Sequence, residues 1–205
     1  MKGLFLLVIN ILFFINAGAQ INKNGDPRAK KLNDSAVKIF MRSDGSPDSM
    51  VKEMRLLEMA LKIDSNYFDG WMSKMNLEGH YNKLDNALKT AQRMMKIFPD
   101  EPEPFLMAGL LQYALGKKAE ANATFNKTLK LYNGLLVKIK SPAKAVQAFK
   151  IRRGITLILM DKEREGKQIL TDIYNKEADD LTKSYIGFYV NSKKEEIIAD
   201  MLPGH

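Results

Sequence analysis

The sequence contains no cysteine, only two histidines and a single tryptophan. Without thiols the chain can form no disulfide, has no thiolate for catalysis or zinc binding, and has no cysteine to which a lipid could be attached. His80 and His205 have no partner residue at the spacing of a catalytic or metal-binding motif, and no phosphate-loop, zinc-protease or serine-hydrolase signature occurs. These absences predict a protein that is not an enzyme and uses no metal or cofactor, with a fold held by packing alone.

Long apolar runs are also scarce, and the one that occurs lies at the beginning of the sequence. It extends from Leu4 to Ile15, follows Lys2, and is succeeded by Ala17-Gly18-Ala19. The run is shorter than the roughly 20 residues that span a bilayer, and it ends in the small residues that signal peptidases accept. We therefore expect residues 1–19 to be a signal peptide cleaved after Ala19. A disordered polar lead over residues 20–33 is expected to follow.

Export without any cysteine is more typical of a bacterial periplasm than of a eukaryotic secretory route. The cleaved chain would be periplasmic or secreted and would have no transmembrane span.

Positive charge is concentrated in one part of the chain, although the formal net charge is +8 overall. Between Lys117 and Arg153 there are ten lysines and arginines but one acidic residue, Glu120. An alternative function of the protein is therefore to bind an anionic envelope polymer or lipid headgroups through this segment. Nucleic acid is not expected as a partner, because the chain is exported and the segment lacks aromatic residues spaced for base stacking. The candidate basic face consists of Lys127, Lys130, Lys138, Lys140, Lys144, Lys150, Arg152 and Arg153.

Three similar hexapeptides recur at a constant interval of 34 residues: ALKIDS from Ala60, MMKIFP from Met94 and TLKLYN from Thr128. Within each interval, apolar residues recur at spacings of three and four, which predicts two helices joined by a short turn. Asn82 and Gly116 are equivalent in this register, and both residue types favour the left-handed conformation that ends a helix. Such a hairpin buries only one face of each helix, so copies must stack on one another.

The end of the third hairpin and the region after it are less regular. Asn133-Gly134 is expected to end the second helix, and the 34-residue register is lost beyond it. A fourth hairpin becomes possible after an insertion of about a dozen residues, with helices over 145–160 and 163–175. Residues 179–202 are expected to form one or two further helices that cap the array.

The third hairpin resembles a tetratricopeptide repeat through Phe105, Ala108, Gly109, Ala121 and Phe125. The resemblance implies an all-α, right-handed solenoid of three to four hairpins with C-terminal capping helices. Its expected parts are a divergent repeat over 34–66, repeats over 67–100 and 101–134, and a linker helix, degenerate hairpin and cap over 135–205. In this family small residues such as Gly109 and Ala121 occur where the two helices of a hairpin cross.

The resemblance also implies a function: a non-catalytic scaffold of the periplasm or cell envelope that binds a peptide or helix of another protein in its concave groove. First helices line that groove in the family. Met72, Leu106, Leu110 and Tyr113 would be its apolar anchors, while Lys38, Arg42 and Asn76 would supply part of a carboxylate clamp. The full set of groove positions is Lys38, Arg42, Asp69, Met72, Asn76, His80, Leu106, Leu110 and Tyr113.

The apolar part of this groove would continue through Ile151, Ile155 and Ile158. So large an apolar strip is rarely left open to solvent. Two coverings are possible from the sequence: a helix or extended segment of a partner, or the chain's own C-terminal helices containing Tyr185, Phe188 and Tyr189.

Overall fold

The computed structural model describes residues 25–43, 45–138 and 143–202. Over these ranges the chain forms ten α-helices and no strand, which confirms the prediction of an all-α protein. None of these helices is both long and apolar enough to cross a membrane. The expected signal peptide lies outside the described residues. The helices are α1 (Pro27–Arg42), α2 (Pro47–Ile63), α3 (Phe68–His80), α4 (Leu84–Ile97), α5 (Pro102–Ala114), α6 (Lys118–Lys138), α7 (Ala143–Leu159), α8 (Glu163–Tyr174), α9 (Asp180–Asn191) and α10 (Lys194–Met201).

The chain divides into two compact units between Pro99 and Asp100. The N-terminal unit contains α1 to α4, with α1 packed against α2 and α3, and α3 packed against α4. The C-terminal unit contains α5 to α10 and ends at Leu202. Within it, consecutive helices from α5 to α9 pack in sequence, and α10 returns to contact α7.

The first helix begins earlier than the sequence pattern predicts. Asp26 caps it by accepting a hydrogen bond from the Arg28 backbone N–H at 2.8 Å, and Pro27 occupies the first turn. The Arg28 side chain also hydrogen-bonds Asp26 and lowers the pKa of its carboxyl to about 2. Ala29 is fully buried in a cluster with Ala60 and Tyr67. The prediction of a disordered lead over 20–33 is therefore wrong for 27–33, because this polar stretch carries a narrow apolar face that the rest of the unit buries.

The turn inside a hairpin has the same conformation in three of the hairpins. Asn82 and Gly116 have positive φ angles of 55° and 76°, as their residue types predict. Asp161 has a φ of 61° at the same point of the fourth hairpin, 45 residues after Gly116. In each turn the following lysine donates its backbone N–H to the carbonyl five residues earlier, the bond that defines a Schellman helix end. These bonds are Lys83 to Glu78 (2.8 Å), Lys117 to Gln112 (2.8 Å) and Lys162 to Leu157 (2.9 Å).

The helices of two hairpins approach closely at glycines. A Cβ atom on Gly109 would lie 2.5 Å from the ring of Phe125, so only glycine fits there without displacing that ring. A Cβ on Gly154 would lie 3.0 Å from Leu170, and Gly154 and Leu170 again lie 45 residues after Gly109 and Phe125. The expectation that Gly109 is small because helices meet there is confirmed. The fourth hairpin therefore repeats the third with 11 additional residues between them.

Residues 134–138 extend α6 beyond the helix end that the sequence predicts. Asn133-Gly134 does not end the helix, which continues to Lys138. Gly134 is absent from the residues with positive φ, and a helical glycine costs only about 1 kcal/mol relative to alanine. Leu135 and Leu136, which favour helix and are half-buried, continue the helix through it. The prediction of a helix end at these two residues is therefore wrong.

Candidate functional site

A polar strip of the N-terminal unit lies along α3 and consists of Asp69, Ser73, Asn76 and His80. We call this strip the α3 face. Its spacing of four, three and four residues places all four side chains on one side of the helix. Asn76 and His80 are exposed, and Asp69 and Ser73 are half-buried. The sequence pattern identified three of these residues; Ser73 was missed, although the same spacing includes it.

His80 ends the α3 face and is held by aromatic contacts. Its ring packs edge-on against Phe40 of α1, with centroids 4.7 Å apart, and against Tyr81, with centroids 5.5 Å apart. Partial burial against these rings lowers the pKa of the imidazole. A neutral imidazole at physiological pH offers one hydrogen-bond donor and one acceptor. The α3 face thus presents an amide, an imidazole, a hydroxyl and a carboxylate in a row.

Met72, predicted as an apolar anchor beside these residues, is turned into the core. Its side chain is only 6% exposed. Met72 lies three residues after Asp69, and its side chain is therefore rotated by about 60° around the helix from Asp69. This rotation buries Met72 because α3 packs against neighbouring helices. The prediction that Met72 lines an open groove is wrong.

Lys38 and Arg42 are exposed on the last two turns of α1. Each is two residues from Phe40 and therefore lies about 200° around the helix from the ring that contacts His80. Both cations consequently point away from His80. The structure does not assemble Lys38, Arg42 and Asn76 into the partial carboxylate clamp that the sequence suggested.

The apolar strip predicted in the C-terminal unit is covered. Leu106 and Leu110 are 2% and 0% exposed, and Ile151, Ile155 and Ile158 are equally buried. Leu106 and Leu110 were predicted to contact a partner, and that prediction is wrong because both side chains are buried.

Side chains of the C-terminal helices reach the same region. Lys194 of α10 places its Nζ atom 4.8 Å from the ring centre of Tyr113, which is half-buried, and 2.8 Å from the carboxylate of Asp161. A cation over an aromatic ring is attracted to the π-electrons. Of the two coverings that the sequence left open, this contact and the burial of the strip agree with the chain's own C-terminal helices.

Arg152 of α7 is buried and is not part of the basic face. Its side chain is buried among Tyr132, Tyr185 and Tyr189, and the charges of Glu103 and Asp200 act on it. Burial alone would lower the pKa of the guanidinium, but the tyrosines and Glu103 raise it above its ordinary value, so Arg152 stays charged. The prediction of an exposed Arg152 is wrong.

Asp200 of α10 completes the surroundings of Arg152. It accepts a hydrogen bond from the Tyr189 hydroxyl at 2.8 Å. Burial nevertheless raises the pKa of this carboxyl, against the effects of Tyr189 and Arg152. Charge and hydrogen bonding therefore join α9 and α10 to α7.

The other predicted basic residues fall into three groups. Lys127, Lys130, Lys138 and Lys150 are exposed. Arg153 is half-buried and donates from Nε to the Asn133 side chain at 2.7 Å, which joins α7 to α6. Lys144 belongs to α7 but its side chain is not described, and Lys140 lies outside the described residues.

Glu53 of α2 is a buried carboxylate in the N-terminal unit, at the position equivalent to Ala87 and Ala121 in the 34-residue register. One carboxylate oxygen accepts a hydrogen bond from the Tyr81 hydroxyl at 3.0 Å, whereas Oε1 is buried without a hydrogen-bond partner. Burial raises the pKa of Glu53 against the opposing effect of Tyr81. The folded protein therefore binds this proton more tightly than the unfolded chain does.

A pH-dependent loss of stability follows from Glu53. As the pH rises above the ordinary glutamate pKa of 4.5 and through the raised folded value, the free energy of unfolding of the N-terminal unit is expected to fall. Glu53→Gln keeps an acceptor for Tyr81 and should remove this fall, measured as urea midpoints between pH 4.5 and 8. Glu58→Gln, an exposed residue of the same helix, is the control. A Glu53→Gln profile as steep as that of the control would contradict the assignment.

Within the part of the chain that the structure describes, no three histidine, aspartate or glutamate side chains are grouped so as to hold a metal ion. Comparison with known proteins found no matching family model. No curated protein and no solved structure is significantly similar to the chain.

Proposed function

We propose that the chain is an exported, non-catalytic scaffold built from tetratricopeptide-like hairpins. The support is internal to the molecule: Asn82, Gly116 and Asp161 end their helices in one conformation, and Gly109 with Phe125 recurs as Gly154 with Leu170. Hairpins of this kind form solenoids, whose extended surfaces bind other proteins. A scaffold of this fold can serve many processes, so the partner must be inferred from the exposed surface.

The α3 face is the proposed contact with that partner. The observation that carries this proposal is the alignment of four polar side chains on the exposed side of a helix that is otherwise largely packed. A peptide or helix of another protein, lying along the face, would exchange hydrogen bonds with Asn76, His80 and Ser73. Because Met72 is buried, recognition depends on hydrogen bonds and not on apolar anchors. In the C-terminal unit, α9 and α10 act as the cap of the array.

The binding test is a pull-down from envelope extract with the chain that begins at Gln20, the form expected after signal-peptide cleavage. Elution in salt steps up to about 0.5 M removes partners held by screened charge alone. A defined protein retained through these steps should be lost with the double variant Asn76→Ala and His80→Ala. Losing two hydrogen bonds should weaken the complex by about 10- to 100-fold.

The matched control is Lys89→Ala with Lys96→Ala, two exposed residues of α4. It should retain the partner fully. Equal retention by the α3-face variant and this control would contradict binding through the α3 face.

A further inference from the structure

The outer side of α6 carries a lysine-rich face with an apolar residue at one edge, near the C-terminal end of the helix. At 100° per residue, Lys127, Lys130, Val137 and Lys138 lie within about 100° of arc. The three lysines are exposed, and Val137 is 88% exposed, the highest value among the exposed large hydrophobic residues of the described chain. We call these four residues the α6 face. The opposite side of α6 packs inward through Ala121, Phe125, Thr128 and Tyr132.

The sequence around this face is poor in acidic residues, the exception on α6 being Glu120, an exposed residue two turns before Lys127 on the same side of the helix. From Ala121 to Met160 the sequence contains eight lysines and arginines and no aspartate or glutamate. Among the described residues, neither Lys127 nor Lys130 nor Lys138 forms an ion pair. The Arg153–Asn133 hydrogen bond places α7 beside this side of α6, and exposed Lys150 lies one turn before Arg153. The positive surface thus extends from α6 to α7.

We propose that the α6 face docks on an anionic lipid bilayer, with Val137 inserted at the level of the headgroups. Charge complementarity favours an anionic surface, and each lysine near such a membrane strengthens binding roughly fivefold. The exposed valine distinguishes a bilayer from a soluble anionic polymer, because only the bilayer offers an apolar layer beneath its charges. Lysine stems can lie along that boundary while their ammonium groups stay with the headgroups. This contact is separate from the α3 face and would hold the scaffold at a membrane surface.

Because the sequence contains no cysteine, a single introduced thiol can be labelled site-specifically. Val137→Cys in the chain that begins at Gln20 provides one thiol, which is labelled with an environment-sensitive nitrobenzoxadiazole dye. Vesicles of phosphatidylcholine with 30% phosphatidylglycerol should raise and blue-shift the emission, and pure phosphatidylcholine vesicles should not. The same dye on Val51→Cys, an exposed position of α2, should show no change. A signal of equal size at both positions would overturn the proposal.

A charge series tests the lysines by vesicle co-sedimentation. The triple variant Lys127→Gln, Lys130→Gln and Lys138→Gln should bind the anionic vesicles roughly 100-fold more weakly. The matched control is Lys62→Gln, Lys89→Gln and Lys96→Gln, which removes the same charge from exposed positions of the N-terminal unit and should bind almost normally. Equal losses would show attraction by net charge alone. Binding to a soluble anionic polymer, together with no dye response at residue 137 on vesicles, would identify a polymer as the partner instead of a bilayer. Equal losses in the two triple variants and this second result would each overturn the proposal.

Discussion

Replacing Phe125 by alanine is expected to lower the free energy of unfolding of the C-terminal unit by about 3–5 kcal/mol. Phe125 is fully buried, and its ring fills the space left by the missing side chain of Gly109. Alanine would leave a cavity between α5 and α6 that the two helices cannot close without losing their crossing. Urea unfolding followed by far-ultraviolet circular dichroism measures the loss.

The neighbouring hairpin suggests how to compensate this loss. At the positions equivalent to Gly109 and Phe125, α3 and α4 carry buried Met75 and Ala91, so the large and small residues are exchanged. Gly109→Met alone should clash with the Phe125 ring. The double variant Gly109→Met with Phe125→Ala should lose at least about 1 kcal/mol less than the sum of the two single variants. Strict additivity would contradict the equivalence of the two hairpins.

Removing the charge of Arg152 is the second change expected to have a large effect. Arg152→Met keeps an unbranched side chain of similar length but leaves Glu103 and Asp200 without the buried cation that acts on them. Breaking a buried charge arrangement by removing one member typically costs about 3–5 kcal/mol. We expect the C-terminal unit to unfold at correspondingly lower urea concentration, with early loss of the near-ultraviolet tyrosine signal as α9 separates from α7.

Arg153→Met provides the comparison for Arg152→Met. Arg153 is half-buried and donates one hydrogen bond to the Asn133 side chain, so its replacement should cost no more than about 1.5 kcal/mol. If the two variants lose the same stability, Arg152 does not hold the C-terminal helices in place.

Much of the local structure could be predicted because it depends on residue types at fixed spacing. Asn82 and Gly116 predicted the turns inside their hairpins because few other residue types tolerate a positive φ. Gly109 predicted a close contact between the two helices of its hairpin. Asp161 gave no such signal, because aspartate adopts this conformation less often and only the 45-residue interval reveals its equivalence. The sequence pattern did not predict that α1 begins at Pro27. Its apolar face is narrow there, because Ala29 is buried but lysines and an asparagine surround it in the sequence.

The candidate site was predicted less completely, because exposure depends on what packs against a helix. The α3 face follows from spacing, and most of it was identified. Met72, Leu106 and Leu110 were themselves predicted to line the groove but are buried, because a rotation of about 60° around a helix decides whether a residue faces solvent or core. The sequence also leaves open whether α9 and α10 return over the apolar strip or a partner covers it. That return decides the burial of Arg152, whose neighbours Lys150 and Arg153 remain wholly or partly accessible.

The central claim is that a partner lies along the α3 face, and site-specific photocrosslinking tests it most directly. A benzophenone amino acid replaces Asn76 in one variant and Lys89, on the exposed side of α4, in another. We predict that irradiation of intact cells gives a discrete adduct of higher mass from position 76 and none from position 89, with the adduct lost when His80→Ala is added. No adduct from position 76, or the same adducts from both positions, would contradict binding along the α3 face.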